Sequence, residues 1–185
     1  DPADGTELWS FPFITDYDCN TANPVTTDDQ HVLISAGENH GAVLLNVSKN
    51  GAKWTVKDVW TSSGKDSQLR AEWQTPVLHD GHLYGLDNSG SAGPITNLVC
   101  IRLSDRKTMW QKTRFGKSNL ILADGTLWLT TMEGELVAIA AKPDAFAETG
   151  RAKVMETTRQ APAISNGRLF VRDDVRVICF DVKSP

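Results

Sequence analysis

The stretch Pro76-Val77-Leu78-His79-Asp80-Gly81-His82-Leu83-Tyr84 decides the fold, because the chain says it again. It returns as Leu120-Ile121-Leu122-Ala123-Asp124-Gly125-Thr126-Leu127-Trp128 and as Pro162-Ala163-Ile164-Ser165-Asn166-Gly167-Arg168-Leu169-Phe170. A looser copy runs from Pro24 through Asp28-Asp29 to Val32-Leu33. A period of about 40–45 residues with a hairpin turn inside it is the sequence signature of propeller blades. Each phrase is an apolar strand, a turn dipeptide and a second apolar strand. Asp-Gly and Asn-Gly adopt the positive φ angles that a two-residue hairpin turn demands.

A third strand follows each phrase, over residues 42–47, 98–103, 136–141 and 177–182. Seven residues after Val47 comes Trp54, and seven after Leu103 comes Trp110. That interval places a tryptophan on an outer, fourth strand and predicts that Trp54 and Trp110 pack between blades. Trp9, in Asp4-Gly5-Thr6-Glu7-Leu8-Trp9, reads as the same element of a preceding unit. In the third copy Lys153-Val154-Met155 takes that place. Trp128 alternates within a strand and is assigned to the core. Trp60 and Trp73 fall outside the repeat phase and are the tryptophans left for a functional surface. Helical periodicity is nearly absent; residues 143–149 suggest one short turn. The fold class is therefore all-β, a propeller of four-stranded antiparallel blades, with about four blades in this chain.

The chain has 185 residues, 40% hydrophobic content and a net charge of −4. The charge argues against nucleic acid as a partner. No apolar run reaches the roughly 20 residues needed to span a bilayer, so membrane insertion is not expected. The three cysteines, Cys19, Cys100 and Cys179, show no CxxC spacing. Cys100 and Cys179 sit in apolar runs and read as buried free thiols. Cys19 lies in a polar loop and is the candidate reactive one.

The phrases resemble the pyrroloquinoline-quinone-like (PQQ-like) β-propeller repeat family. The bacterial cell-envelope branch, related to the scaffold lipoprotein of outer-membrane β-barrel assembly, is the nearest likeness. The segments that carry it are Asp4 to Trp9, Pro76 to Gly85, Leu98-Val99-Cys100, Leu120 to Gly125, Glu133 to Val137 and Gly167 to Arg172. The resemblance implies a single partial propeller over 1–185, with blades near 23–62, 75–115, 119–157 and 161–185 and with 1–12 as an outer strand. The parent is expected to have seven or eight blades. The chain opens at Asp1 without Met and reads as processed or cut from something longer, so a periplasmic or secreted location comes from the resemblance alone. Either the ends fall mid-blade in a fragment, or the N-terminal strand completes the last blade, closing a four-bladed ring or pairing two copies; the open edges of a half-propeller make self-association a partner reading.

Quinone-dependent dehydrogenases of this fold use an adjacent cysteine pair, a calcium site and a catalytic aspartate. No two cysteines are adjacent here, so no PQQ or other cofactor is assigned. No catalytic or metal residue is assigned either, and the reading leans away from an enzyme. His79 and His82 look like a metal pair but flank a hairpin turn, where they are expected to splay apart. GxSxG, HExxH and P-loop motifs are absent from the sequence.

The long stretches 12–23, 36–41, 61–74 and 87–97 should share one face, opposite the tight turns. Clustered long loops indicate where recognition occurs. The candidate binding face comprises Asp16, Tyr17, Asp18, Asn20, Asn39, His40, Arg70, Glu72 and Trp73, with Arg114, Lys117, Arg159 and Arg172 adding positive charge. The function these observations favour is a non-catalytic binding or scaffold propeller that takes a protein or polymer on this face. The alternative is a quinone-dependent or sugar-active propeller enzyme.

Overall fold

The computed structural model describes residues 1–90 and 95–182. Residues 91–94 of the expected long stretch at 87–97, and the last three of the expected fourth blade, lie outside the described residues. The strands form four antiparallel meanders. The first joins β1 (Val25–Thr26), β2 (His31–Ala36), β3 (Gly41–Asn50) and β4 (Lys53–Ser63). The second joins β5 (Val77–His79), β6 (His82–Ser89), β7 (Ile95–Arg102) and β8 (Thr108–Lys112). The third joins β9 (Ser118–Ala123), β10 (Thr126–Thr131), β11 (Glu135–Ala140) and β12 (Glu148–Lys153). The fourth has three strands, β13 (Ala163–Ser165), β14 (Arg168–Arg172) and β15 (Val177–Asp181). This is a partial β-propeller. No described helix is long and apolar enough to cross a membrane.

The phrase that recurs in the sequence is the hairpin between the first two strands of a blade. Asp80 and Gly81, Asp124 and Gly125, and Asn166 and Gly167 all have positive φ, the conformation of a type I′ turn that matches strand twist. In the first blade Asp28 replaces the dipeptide chemistry: its carboxylate accepts the backbone N–H groups of Gln30 and His31.

Three blades share a further feature the sequence hides. The third and fourth strands slip register once, at Leu44/Leu45, Cys100/Ile101 and Ala138/Ile139. A bulge there bends the outer strand and increases its twist. Just before the slip, Trp60 lies opposite Leu44, and Trp110 lies opposite Cys100. Trp60 is thus the counterpart of Trp110, which corrects the expectation that Trp54 was. Trp110 is buried among Tyr84, Leu127 and Val137, and its indole N–H donates to the Lys142 carbonyl of the next blade. Trp60 packs on the cluster of Leu33, Leu44, Leu83 and Ile101. Trp54 instead sits on an extension of the β3–β4 hairpin, 5.1 Å beneath the Lys49 ammonium. The extension lengthens this hairpin beyond the others, so a matching seven-residue interval fell on a different structural position.

Blade stacking organises the core. Leu33 and Leu44 of the first blade meet Leu83, Val99 and Ile101 of the second. Tyr84, Leu98 and Cys100 of the second meet Leu127, Leu129 and Ile139 of the third. Trp128, Leu136 and Met155 of the third meet Leu169, Val171, Ile178 and Phe180 of the fourth. Burial pushes the Cys100 thiol up to about 11, which keeps it protonated and unreactive.

Other expectations are corrected. Cys179 is exposed, as is Cys19; it lies on the face of β15 turned away from the third blade. The third outer strand is Glu148–Lys153, earlier than 153–155, with Met155 buried just beyond it. Residues 1–12 form no strand. Residues 143–149 hold a bend and the start of β12 rather than a helical turn.

The packing sets two measurable outcomes. Trp110→Ala should cost about 3–5 kcal/mol in urea unfolding, whereas Trp54→Ala should cost no more than about 1 kcal/mol, the range of an exposed cation–π contact. The second concerns Asp173, whose carboxyl is held down to about 2, chiefly by the Val175 backbone N–H and then by those of Glu156 and Arg176. Its folded value lies below the ordinary 3.8, so its stabilisation is present above pH about 4 and vanishes as pH falls through 2. The stability gap between the wild type and Asp173→Asn should be open at pH 6 and closed near pH 2 in denaturant titrations.

Candidate functional site

Antiparallel meanders of four strands put alternate connections at opposite ends. The tight turns at 80–81, 124–125 and 166–167 share one end with the connections from third to fourth strands. The connections from second to third strands, and from one blade to the next, share the other. That second end holds residues 13–24, 37–40, 64–76, 113–117, 132–134, 154–162 and 173–176. Two of the long stretches are shorter than the sequence suggested, because β4 continues to Ser63 and β6 to Ser89.

The structure sorts the candidate residues into three groups. Asp16, Tyr17 and Asp18 form a 3-10 turn in which Tyr17 and Asp18 have positive φ, and Tyr17 projects into solvent. Asn20, Asn39 and His40 hold the loops together. The Asn20 amide donates to the Phe13 carbonyl, Asn39 Oδ1 accepts the Gly90 N–H, and the His40 and Phe13 rings form a T-shaped pair with centroids 4.6 Å apart.

Arg70 is not on the surface. It is 7% exposed and forms a bidentate pair with the buried Asp87, both contacts at 2.7 Å. The Arg70 carbonyl accepts from the Asn88 backbone and side chain, and Asn88 Oδ1 accepts from Thr96. On the first blade, Ser35 Oγ accepts the Ala71 N–H and donates to a carbonyl, with Gly41 and Leu69 both in reach. Connection 64–76 is therefore clamped to both blades it joins. A planar, bidentate guanidinium suits this buried role.

The clamp presents Glu72 and Trp73. The Glu72 carbonyl accepts the Thr21 hydroxyl, and its carboxylate pairs with the Lys117 ammonium at 2.7 Å. Lys117 also lies 4.6 Å from the Trp73 ring centre, and the exposed Arg159 lies 5.7 Å from it. Trp73 is half-buried, and its indole nitrogen is buried without a hydrogen-bond partner. The neighbouring Gln74 is buried and its amide nitrogen also lacks one. Connections preceding β5, β9 and β13 thus converge on one aromatic ring. Lys117 and Arg159 were legible in the sequence only as added positive charge, because nothing in a linear chain shows that 73, 117 and 159 meet. Exposed Arg114 and Arg172 lie at the same end, whereas Asp16 and Asp18 sit on the N-terminal side.

His79 and His82 are opposite each other in the β5–β6 register and so point to the same side; the expected splay is wrong, because residues flanking a two-residue turn are cross-strand partners. His79 Nε2 is 3.5 Å from the Asp80 carboxylate, and His82 Nδ1 is 2.7 Å from the Asp80 carbonyl. No group of three or more His, Cys, Asp or Glu side chains that could hold a metal comes together among the described residues. The three cysteines do not come together either. Cys19 is in the N-terminal loop, Cys100 in a blade interior and Cys179 on the outer face of the last blade.

No family model matches the chain, and no curated protein does. Solved structures do. One is a europium-containing methanol dehydrogenase, at 19% identity over 58% of this chain and 22% of that one, with a TM-score of 0.45. Another is BamB from Moraxella catarrhalis, at 17% identity over 95% of this chain and 63% of that one, with a TM-score of 0.48. The chain therefore spans about a fifth and under two thirds of these proteins.

Breaking the clamp from one side should be costly. Arg70→Met should lose about 3–5 kcal/mol by leaving Asp87 buried and unpaired. The double variant Arg70→Met/Asp87→Leu should recover most of that loss in the same chemical-denaturation assay.

Proposed function

We propose that this stretch of a PQQ-like β-propeller is a non-catalytic binding or scaffold module of the bacterial cell envelope, periplasmic or secreted. Its long-connection face takes an acidic stretch of a protein or polymer. The observation that carries the reading is the Trp73 ring flanked by Lys117 and Arg159. A carboxylate-bearing chain laid across the ring would meet two cations. Glu72, paired to Lys117, holds that ammonium over the ring and would be the group an incoming carboxylate displaces.

The rest of the face gives the site its direction. Asp16 and Asp18 on the N-terminal side repel an acidic segment, while Arg114, Arg159 and Arg172 attract it toward the later blades. Such charge segregation sets orientation and encounter rate more than affinity. The scaffold reading asks nothing of the site beyond shape and charge.

A fluorescein-labelled oligoglutamate peptide tests this by anisotropy. Binding should weaken at least tenfold with Arg159→Glu, and more with Lys117→Glu/Arg159→Glu. It should also weaken as salt rises from 50 to 500 mM. Trp73→Ala should reduce it, and Asp16→Ala should not. Equal binding of oligoglutamate and oligolysine, or an unchanged Lys117→Glu/Arg159→Glu variant, would overturn the reading.

A further inference from the structure

At the tight-turn end, the cleft between the first and second blades and the cleft between the second and third are built from matching parts. The outer strand brings a bulged residue followed by a tryptophan, Val59 and Trp60 in the first cleft and Met109 and Trp110 in the second. The blade opposite brings the end of its third strand. There the Leu103 N–H donates to the Gly81 carbonyl, and the Ala141 N–H donates to the Gly125 carbonyl. Ser104 therefore stands where Lys142 stands in the next blade.

The second cleft is shut. The Trp110 indole N–H donates to the Lys142 carbonyl at 2.8 Å, Met109 packs on the same core, and the Phe146 ring stands 5.7 Å from the indole. In the first cleft only the cover over the ring is kept, with the Arg106 guanidinium 5.8 Å from the Trp60 ring centre. Trp60 Nε1 has no hydrogen-bond partner among the described residues, so the seam to Ser104 is not made. Val59, smaller than Met109, is 51% exposed. What remains is an open cleft of about 440 Å³ that Trp60 and Ser104 both line. That is within the size range of small-molecule sites.

The lining selects a class of ligand. Leu44, Val59, Trp60 and Leu103 make an apolar wall. The rim is acidic: Asp28 comes from the turn of the first blade and Asp80 from the turn of the second, and both side chains are exposed. The Gln30 backbone N–H and the His31 ring hold the Asp28 carboxyl below the usual carboxylate range, so it is charged at neutral pH. Arg102, the lone Lys or Arg among the described lining residues, is committed to Asp105 through contacts of 2.9 and 2.5 Å. The His31 ring is held by Asp28 and Asn46. A tryptophan beside two carboxylates attracts a positive group and repels phosphates and carboxylates.

We infer that this cleft binds a small organic cation, an ammonium carried on an apolar body. The body lies against Trp60, Leu44 and Leu103, and the ammonium lies at the rim, where Asp28 and Asp80 supply the countercharge. The first two blades thus hold a ligand where the second and third hold each other. The cleft is at the opposite end of the blades from Trp73, and its charge preference is the reverse of that site's.

Benzylamine, titrated at neutral pH into the isotope-labelled chain, tests this by NMR. The His31 and Gly81 amide signals and the Trp60 indole signal should shift along one saturable curve. Benzyl alcohol, the neutral analogue, should bind about tenfold more weakly, and benzoate should give no saturable shift. Asp28→Asn/Asp80→Asn should weaken benzylamine about tenfold, the scale of carboxylates near a cation in a hydrated site, and leave benzyl alcohol unchanged. Both asparagines suit their turns: the chain already makes an Asn-Gly turn at 166–167, and an amide oxygen can accept the N–H groups that Asp28 accepts. Val59→Trp, which fills the apolar wall, should weaken benzylamine and benzyl alcohol alike. Asp124→Asn, at the matching place beside the shut cleft, should change nothing. Equal affinity for benzylamine and benzoate would overturn the proposal, as would a double variant that binds benzylamine like the wild type. So would binding of an arginine-bearing peptide with none of benzylamine, which would make the cleft a protein-docking groove. None of these readouts involves oligoglutamate, so the proposal stands or falls separately from the loop-face reading.

Discussion

Each blade of this protein is a twisted sheet with apolar side chains on both faces, and neither face is stable in water. A fully buried Leu or Phe contributes about 1.5–3 kcal/mol, so a blade with one face uncovered forfeits several such terms at once. The rest of the structure depends on this constraint. It forces blades to stack, it puts a large aromatic at the same place in successive repeats, and it leaves the strand ends free to carry variable connections. The series Tyr84, Trp128 and Phe170 shows the constraint directly. The first is sealed, the second is mostly covered and the third is half open, in step with what stands beside each.

Stacking fixes positions to which the connections must then be attached, and here a polar device takes over. At the buried base of connection 64–76, Arg70 pairs with Asp87 and accepts from Asn88, while Ser35 accepts the Ala71 N–H. Polar groups at such depth are stable only when paired. The rigid base has a functional consequence. It holds Trp73 at the meeting point of three connections, so that a ring from one, an ammonium from the second and a guanidinium from the third share a few ångströms.

Much of the fold is legible in the sequence, for identifiable reasons. Asp-Gly and Asn-Gly announce their turns because few other dipeptides tolerate two positive φ angles. Alternating apolar residues announce strands because side chains alternate across a pleat. The misreadings are of a different kind. Trp54 takes the place of Trp60 in the linear count because a hairpin extension and a bulge change the spacing between strands. Cys179 looks buried because its sequence neighbours resemble those of Cys100, yet among the described residues only Cys100 has a blade over it. Arg70 looks like a surface residue because a long polar stretch gives no sign of its buried partner. His79 and His82 are misplaced unless the turn between them is recognised as making them cross-strand partners on one side.

The sequence by itself determined the repeat, its hairpin turns, the alternation of its strands and the absence of an adjacent cysteine pair. These are local properties, set by backbone sterics and pleat geometry within a few residues. The tertiary structure decided which tryptophans seal blades, which arginine is a clamp and which cations gather on Trp73. It also decided that Cys100 is buried while Cys179 is exposed. Each of those depends on groups far apart in the chain coming within contact distance, and only the stacking of blades brings them there.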